Sequence, residues 1–359
     1  MLETTKEQLL PALTAAASAA ASRSTMTVLM NVRLHGDGER LTVTGTDLET
    51  TTEAYAKVEY CDIDTTVNAR KLLDIVKTMP SGAKIKMSTD DSKLIVRSGR
   101  SRYSLQTLFS SDFPEPQQLT VEPIQLESQA LLKAISGVQY AMAKDDVRYY
   151  LNGLLFSFKP EQLTLAATDG HRLSVSEIDI ETGIDAEYIL PNKSVSELKA
   201  ALQRSPTVKL AFEPTAMAAD YELGKLTTKL VDGKFPDFNR VIPRFHTQTL
   251  VVNADEFKSA LQRVKVLANE KYRGAKIILA DQTLTIETNN PEQEKATEVI
   301  DCQHDADLEI GFNVDYLIDA MSTIETESAI ISYMSAGEPV LIQDETKTGM
   351  RAVCMPMRI

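Results

Sequence analysis

Three segments of the chain recur at a nearly fixed step: LTVTGTDLE from Leu41, LTLAATDGH from Leu163 and LTIETNNPE from Leu284, 122 and 121 residues apart. Each alternates apolar and polar residues and then ends in turn formers: Asp47, Asp169-Gly170 and Asn289-Asn290-Pro291. That pattern predicts a half-buried strand running into a turn. Other landmarks keep the step. Upstream of the second strand, Leu131, Ile135, Val138 and Met142 fall on one helical face; upstream of the third, Phe257, Leu261, Val264 and Ala268 do the same. The first counterpart, KEQLLPALTAAASAA, is rich in alanine, a strong helix former. A second helix is expected after each strand, in NARKLLDIVKTM from Asn68, PNKSVSELKAALQR from Pro191 and NVDYLIDAMSTIE from Asn313. Asn68 and Asn313 suit N-caps, and Ser194 with Glu197 has capping-box spacing. A repeat this long is a whole domain. The 359 residues therefore read as three copies of one α+β unit, at 1–122, 123–246 and 247–359, with the Pro-bearing stretches DFPEPQQLTVEP and DFNRVIPRFHTQ as linkers.

Composition narrows the function classes. A hydrophobic fraction of 43% and a charged fraction of 25% are those of an ordinary globular protein. The formal net charge of −13 opposes phosphate binding unless lysines and arginines gather on one face. Cys61, Cys302 and Cys354 are far apart, as are His35, His171, His246 and His304, so neither a metal nor another cofactor is expected and the thiols read as reduced. The early run LLPALTAAASAAAS contains Pro11 and lacks a basic leader, which makes it a poor signal peptide.

The stretch ATDGHRLS (167–174) gathers Asp169, His171, Arg172 and Ser174 and invites a hydrolytic reading. A nucleophilic serine needs a strained elbow and an oxyanion hole, and the chain has no G-x-S-x-G. It has no phosphate loop or dinucleotide fingerprint either, so the chain reads as a non-enzyme.

The ordered set DVRYYLNGLLF (146–156), ATDGHRLS, KLVDGKFPDF (229–238), NNPEQE (289–294), IGFNVDYLIDAM (310–321), RSGRSRYSLQTL (97–108) and the terminal MPMRI resembles the bacterial DNA polymerase III beta subunits, the sliding clamps, along the full length. The resemblance implies three tandem DNA-clamp domains in a head-to-tail dimeric ring, with helices lining a pore and antiparallel sheets outside. It implies a processivity factor that encircles double-stranded DNA without sequence specificity and docks partners through short linear motifs. Those partners are the replicative polymerase, the clamp-loader ATPase, other polymerases and repair proteins. It further implies a cytoplasmic, nucleoid-associated protein with no membrane partner. A specialised or second-copy clamp with a narrowed partner set is the alternative.

Carried over by position, the resemblance places DNA contacts at Arg23, Arg70, Lys77, Arg148, Tyr149, Tyr150, Lys193 and Lys199. Asp145 and Asn192 stand where the family pattern has a neutral polar residue and an arginine, which weakens phosphate attraction. A subunit seam is expected where Tyr103 and Leu105 meet Val266 and Leu267, with Lys71, Arg100 and Arg102 facing Glu292, Glu294 and Glu298. A peptide cleft is expected from Leu151, Thr168, Gly170, His171, Arg172, Leu173, Pro236, Arg240 and Val241, with Tyr316 and the terminal Val353, Cys354, Met355, Pro356, Met357 and Arg358. Flexible methionines suit a socket for varied Leu or Phe anchors, and Arg172 and Arg240 are expected to reach peptide carbonyls or carboxylates. Gly337, Pro339 and Cys354 depart from the family pattern near that cleft.

Overall fold

The structure, a computed structural model, describes residues 1–243, 247–346 and 349–358. The expected boundary at His246 lies outside the described residues. Among the described residues six α-helices each begin where a strand ends, two per repeat: α1 (Lys6–Ala19), α2 (Ala69–Thr78), α3 (Ser128–Val138), α4 (Asn192–Leu202), α5 (Ala254–Lys265) and α6 (Val314–Met321). Local chemistry explains the switch from strand to helix. The side-chain oxygens of Asn68, Asn253 and Asn313 accept the first free backbone N–H groups of α2, α5 and α6, and Thr5 with Gln8 forms a capping box on α1.

The expected capping role of Ser194 is not what the fold uses. Helix α4 starts two residues earlier, and the Ser194 hydroxyl is buried 2.6 Å from that of Thr228 and 3.2 Å from that of Thr50. A hydroxyl cluster inside the protein has claimed it.

Contacts divide the chain into two compact units, Met1–Leu132 with Lys193–Val231, and Lys133–Asn192 with Asp232–Ile359. In the first, a ten-stranded antiparallel sheet joins two repeats: Thr50–Ala54 of the first pairs with Gly224–Thr228 of the second. Helices α1 and α2 bury Leu9, Leu13, Leu72 and Val76 in one core with Leu41, Val43 and Val67. In the second unit, a nine-stranded sheet joins the remaining strands of the second repeat to the third. The joint is the antiparallel pair Arg172–Ser176 and Met350–Cys354. A four-stranded sheet, ordered Lys295–Asp301, Thr283–Asn289, Gly274–Ala280, Leu308–Asn313, shares a core with α5 and α6 around Phe257, Leu261, Ile286, Leu317 and Tyr333. The second repeat thus gives one group of strands to each neighbour. One side of each group pairs with a neighbouring repeat, while its strands Ile124–Glu127 and Ala186–Pro191 end the two sheets.

Candidate functional site

The turn 168–172 is built by its own side chains. Asp169 Oδ1 accepts from the backbone N–H groups of His171 (2.9 Å) and Arg172 (3.1 Å), and the Thr168 hydroxyl donates to the Arg172 carbonyl at 2.6 Å. The first repeat closes its turn the same way. Asp47 Oδ1 accepts from Glu49 (3.0 Å) and Thr50 (2.7 Å), and the Thr46 hydroxyl donates to Thr50 at 3.1 Å. The acid in ATDGHRLS is therefore turn chemistry. Ser174 is fully buried and donates to the Gly137 carbonyl at 2.8 Å. The exposed His171 ring instead stacks near Tyr316, centroids 6.5 Å apart. Asp169, His171 and Ser174 are aimed at three different partners and form no catalytic relay.

Arg172 departs from its expected role. Its guanidinium donates to Asp169 Oδ2 (3.1 Å), Asp319 Oδ2 (2.6 Å) and the Tyr140 carbonyl (2.7 Å), and lies 4.4 Å from the centre of the Tyr316 ring and 5.3 Å from that of Tyr140. Burial works against its charge, but Asp319 and Asp169 outweigh burial and raise its proton affinity. Three of its five N–H donors are thus committed inside the protein.

Beside this turn lies a cavity of about 210 Å³. Leu151, Leu173, Phe238 and Val353 line it with Pro236, Val241 and Met355, and Arg148, Thr168, Gly170, Arg172 and Asp237 complete the wall. Leu173 and Val353 are direct cross-strand partners, so their side chains share a face. The next residue, Cys354, faces the other way. It sits in the core of the third repeat with its thiol toward the Tyr316 carbonyl (3.9 Å), and burial pushes that thiol up to about 12. Cys354 is therefore a correction to the expected cleft: it does not widen the cavity. The terminal segment is tied down, because Met355 N–H donates to the His171 carbonyl (2.9 Å) and Met357 N–H to that of Gly311 (2.8 Å).

His171, Arg240, Tyr316 and Pro356 do not line this cavity, and Arg240 pairs at the surface with Asp237 at 3.0 Å. Met357 and Arg358 line a separate groove with Asn269, Tyr272, Asn290 and Pro291. Gly337 stands in open space. Phe238 and Asp237 were missed, although the motif GKFPDF that supplied Pro236 contains both. Asp319 was also missed; its only sequence signal is an acid on α6, a helix without a basic residue.

The other expected residues fall into two groups. Arg23, Arg70, Lys71 and Lys77 are exposed, while Lys193 is ion-paired with Asp47 and burial lowers the proton affinity of Lys199. Arg148 is exposed but forked onto Asp146, and Tyr149 and Tyr150 meet edge to face at 5.8 Å. Arg100, Arg102, Tyr103 and Leu105 lie on or beside the strand Ser101–Leu108; its pairing beyond Lys93–Ser98 reaches only Thr107 and Leu108 among the described residues. Val266 is 79% exposed and Leu267 half-buried just past α5. Glu292 and Glu294 are exposed, but Glu298 is already forked by Arg263 (2.7 and 3.0 Å) within its own repeat. Among the described residues its strand, Lys295–Asp301, pairs only with Thr283–Asn289.

Three α+β repeats joined through shared sheets, with an apolar cavity closed by the last strand, define a clamp-type protein. Family models of the DNA polymerase III beta subunit match its N-terminal domain at residues 1–117, its central domain at 125–237 and its C-terminal domain at 239–358. The beta sliding clamp of Proteus mirabilis is 40% identical over 364 residues, covering 99% of this chain and 98% of that protein; the Escherichia coli K12 clamp is 37% identical over 363 residues with the same coverage. The crystal structure of the Pseudomonas aeruginosa beta subunit superposes with a TM-score of 0.93 at 36% identity, over 100% of both chains. The Caulobacter crescentus clamp gives 0.94 at 31%, over 100% of this chain and 98% of that one. The chain belongs to the beta sliding clamp family, and its function is that of the family: a non-catalytic processivity factor of DNA polymerase III in DNA replication.

Proposed function

We propose that two copies of the chain close head to tail into a ring around duplex DNA, and that short linear motifs of partner proteins dock in the cavity beside Leu173 and Met355. The cavity carries the reading. It is apolar, it is walled by residues from two repeats, and the chain's last strand closes it. Its size suits one or two aliphatic or aromatic anchors, and Met355 supplies an adaptable wall. The partners are the replicative polymerase, the clamp-loader ATPase, and other polymerases and repair proteins, meeting the ring in the cytoplasm at the nucleoid.

Two partly unpaired strands, Ser101–Leu108 and Lys295–Asp301, support the seam. Tyr103 and Leu105 meet Val266 and Leu267 there, while Lys71, Arg100 and Arg102 face Glu292 and Glu294. Glu298 enters through its fork with Arg263. Arg23, Arg70, Lys77, Arg148, Tyr149, Tyr150, Lys193 and Lys199 face the DNA backbone, and two of them, Arg148 and Lys193, share their charge with an acid of the chain, which suits a ring that slides. The domains are taken as 1–122, 123–246 and 247–359.

The test is retention on DNA. Loaded protein should stay on a closed circle after a high-salt wash and run off a linear fragment; equal retention on both would refute the topological reading. Titration with partner peptides separates a general hub from a clamp of narrowed partner set, since the latter would take only some of them.

A further inference from the structure

We propose that Asp319 is a positioning residue for the peptide cavity: it holds Arg172, and through Arg172 it holds the turn that forms the cavity's rim. The proposal rests on reading that cavity as the peptide site. Several ties of this region meet at Arg172. Its carbonyl accepts from Thr168, its backbone N–H donates to Asp169, and its neighbour Leu173 lines the cavity. Thr168 and Gly170, in the same turn, are rim residues. Most partners of the guanidinium come from the second repeat, namely Asp169, the Tyr140 carbonyl and the Tyr140 ring. Helix α6 of the third repeat provides the rest. Tyr316 lies against the guanidinium face at 4.4 Å, and Asp319, three residues along the same helical face, takes Nη1 at 2.6 Å. Tyr316 also carries the His171 ring.

The Arg172 side chain is 13% exposed, so its charge is stable there only while its acids are in place. Without Asp319, one end of the fork loses its acceptor. A planar cation with a free end would then be less firmly held beside the cavity that it already lines. The rim would loosen and an unpaired charge would meet the apolar anchor of a bound peptide.

The experiment uses the full chain, a short acetylated peptide ending in Leu-Phe as probe, and the Nη1–H resonance of Arg172, the group from which Asp319 accepts. Asp319→Asn should weaken the peptide about tenfold and abolish the slow hydrogen exchange of that resonance, with the unfolding midpoint little changed. Asp319→Glu should recover part of the affinity. Asp315→Asn is the control: it lies on the same helix but pairs with Lys265 (2.6 Å), and should leave both readouts as in the wild type. Wild-type peptide affinity in Asp319→Asn, with the Arg172 resonance already exchanging fast, would overturn the positioning role and leave the cavity reading standing. Equal weakening by Asp315→Asn would overturn it too, as a general loosening of α6. A wild-type protein that ignores the peptide would remove both proposals.

Discussion

Leu48 and Gly170 occupy the same position in two equivalent turns, and both have positive backbone φ, 75° and 90°. Glycine adopts that conformation without strain, whereas a leucine does so at a cost of about 1 kcal/mol. The first repeat accepts the strain because Leu48 N–H still reaches the Thr46 hydroxyl at 3.1 Å. Leu48→Gly should therefore leave stability unchanged or raise it by up to about 1 kcal/mol, the flexibility of unfolded glycine offsetting part of the relief. Gly170→Ala should lower it by about 1 kcal/mol, because the new Cβ keeps the strained φ and comes within 3.1 Å of the Arg148 guanidinium. Urea midpoints of the two variants, moving in these different directions, check the equivalence of the turns.

Val241 is 49% exposed at the edge of the cavity and supports none of its buried floor. A carboxylate there would sit against the incoming apolar anchor, while Arg148, Arg172 and Arg240 are already paired with Asp146, with Asp169 and Asp319, and with Asp237. Val241→Asp should weaken a Leu-Phe peptide at least tenfold, roughly 1.4 kcal/mol. Thermal unfolding should match the wild type. Calorimetric titration of the folded variant is the measurement, and undiminished binding would move the peptide site elsewhere.

Much of this architecture is written locally in the chain. Apolar spacing and the step between turns mark the six helices found among the described residues, and Asn68 and Asn313 mark the starts of two of them, because those signals act within a few residues. The long-range pairings are not local. No residue of the second repeat announces that Gly224–Thr228 will pair with the first repeat while Arg172–Ser176 pairs with the third. The same limit hides the Arg172 lock: the cation is plain in ATDGHRLS, but its acceptor lies 147 residues away. Cys354 shows the limit at single-residue scale. Alternation puts Val353 and Cys354 on opposite faces, yet which face meets the cavity depends on Leu173 across the sheet.

Acid should release the turn of the first repeat. Burial favours the neutral form of Asp47, but the hydrogen bond from Lys193 and those from the Thr50 and Glu49 backbone outweigh it and hold the carboxyl below its ordinary 3.8. A folded-state value below the unfolded one means the contribution is complete above about pH 4 and disappears as pH falls through the folded value. Asp47→Asn should then be less stable than the wild type near neutrality, and the gap should narrow below pH 4. Urea midpoints of both proteins between pH 3 and pH 7 test the sign. A gap that widens in acid would mean the pair with Lys193 does not set this carboxyl's affinity.

The seam prediction turns on Val266, which at 79% exposure has almost nothing to lose within its own chain. Leu105 on the opposite side is half-buried and packs against the core of the first repeat. The two residues therefore separate assembly from folding. Val266→Asp should give a folded monomer, because a charge placed in an apolar patch must be desolvated when two copies meet. Leu105→Asp should also give a monomer but lower the unfolding temperature as well. Native mass spectrometry reads the assembly and thermal unfolding reads the fold. A Val266→Asp dimer as tight as the wild type would place the seam away from α5 and its following residues.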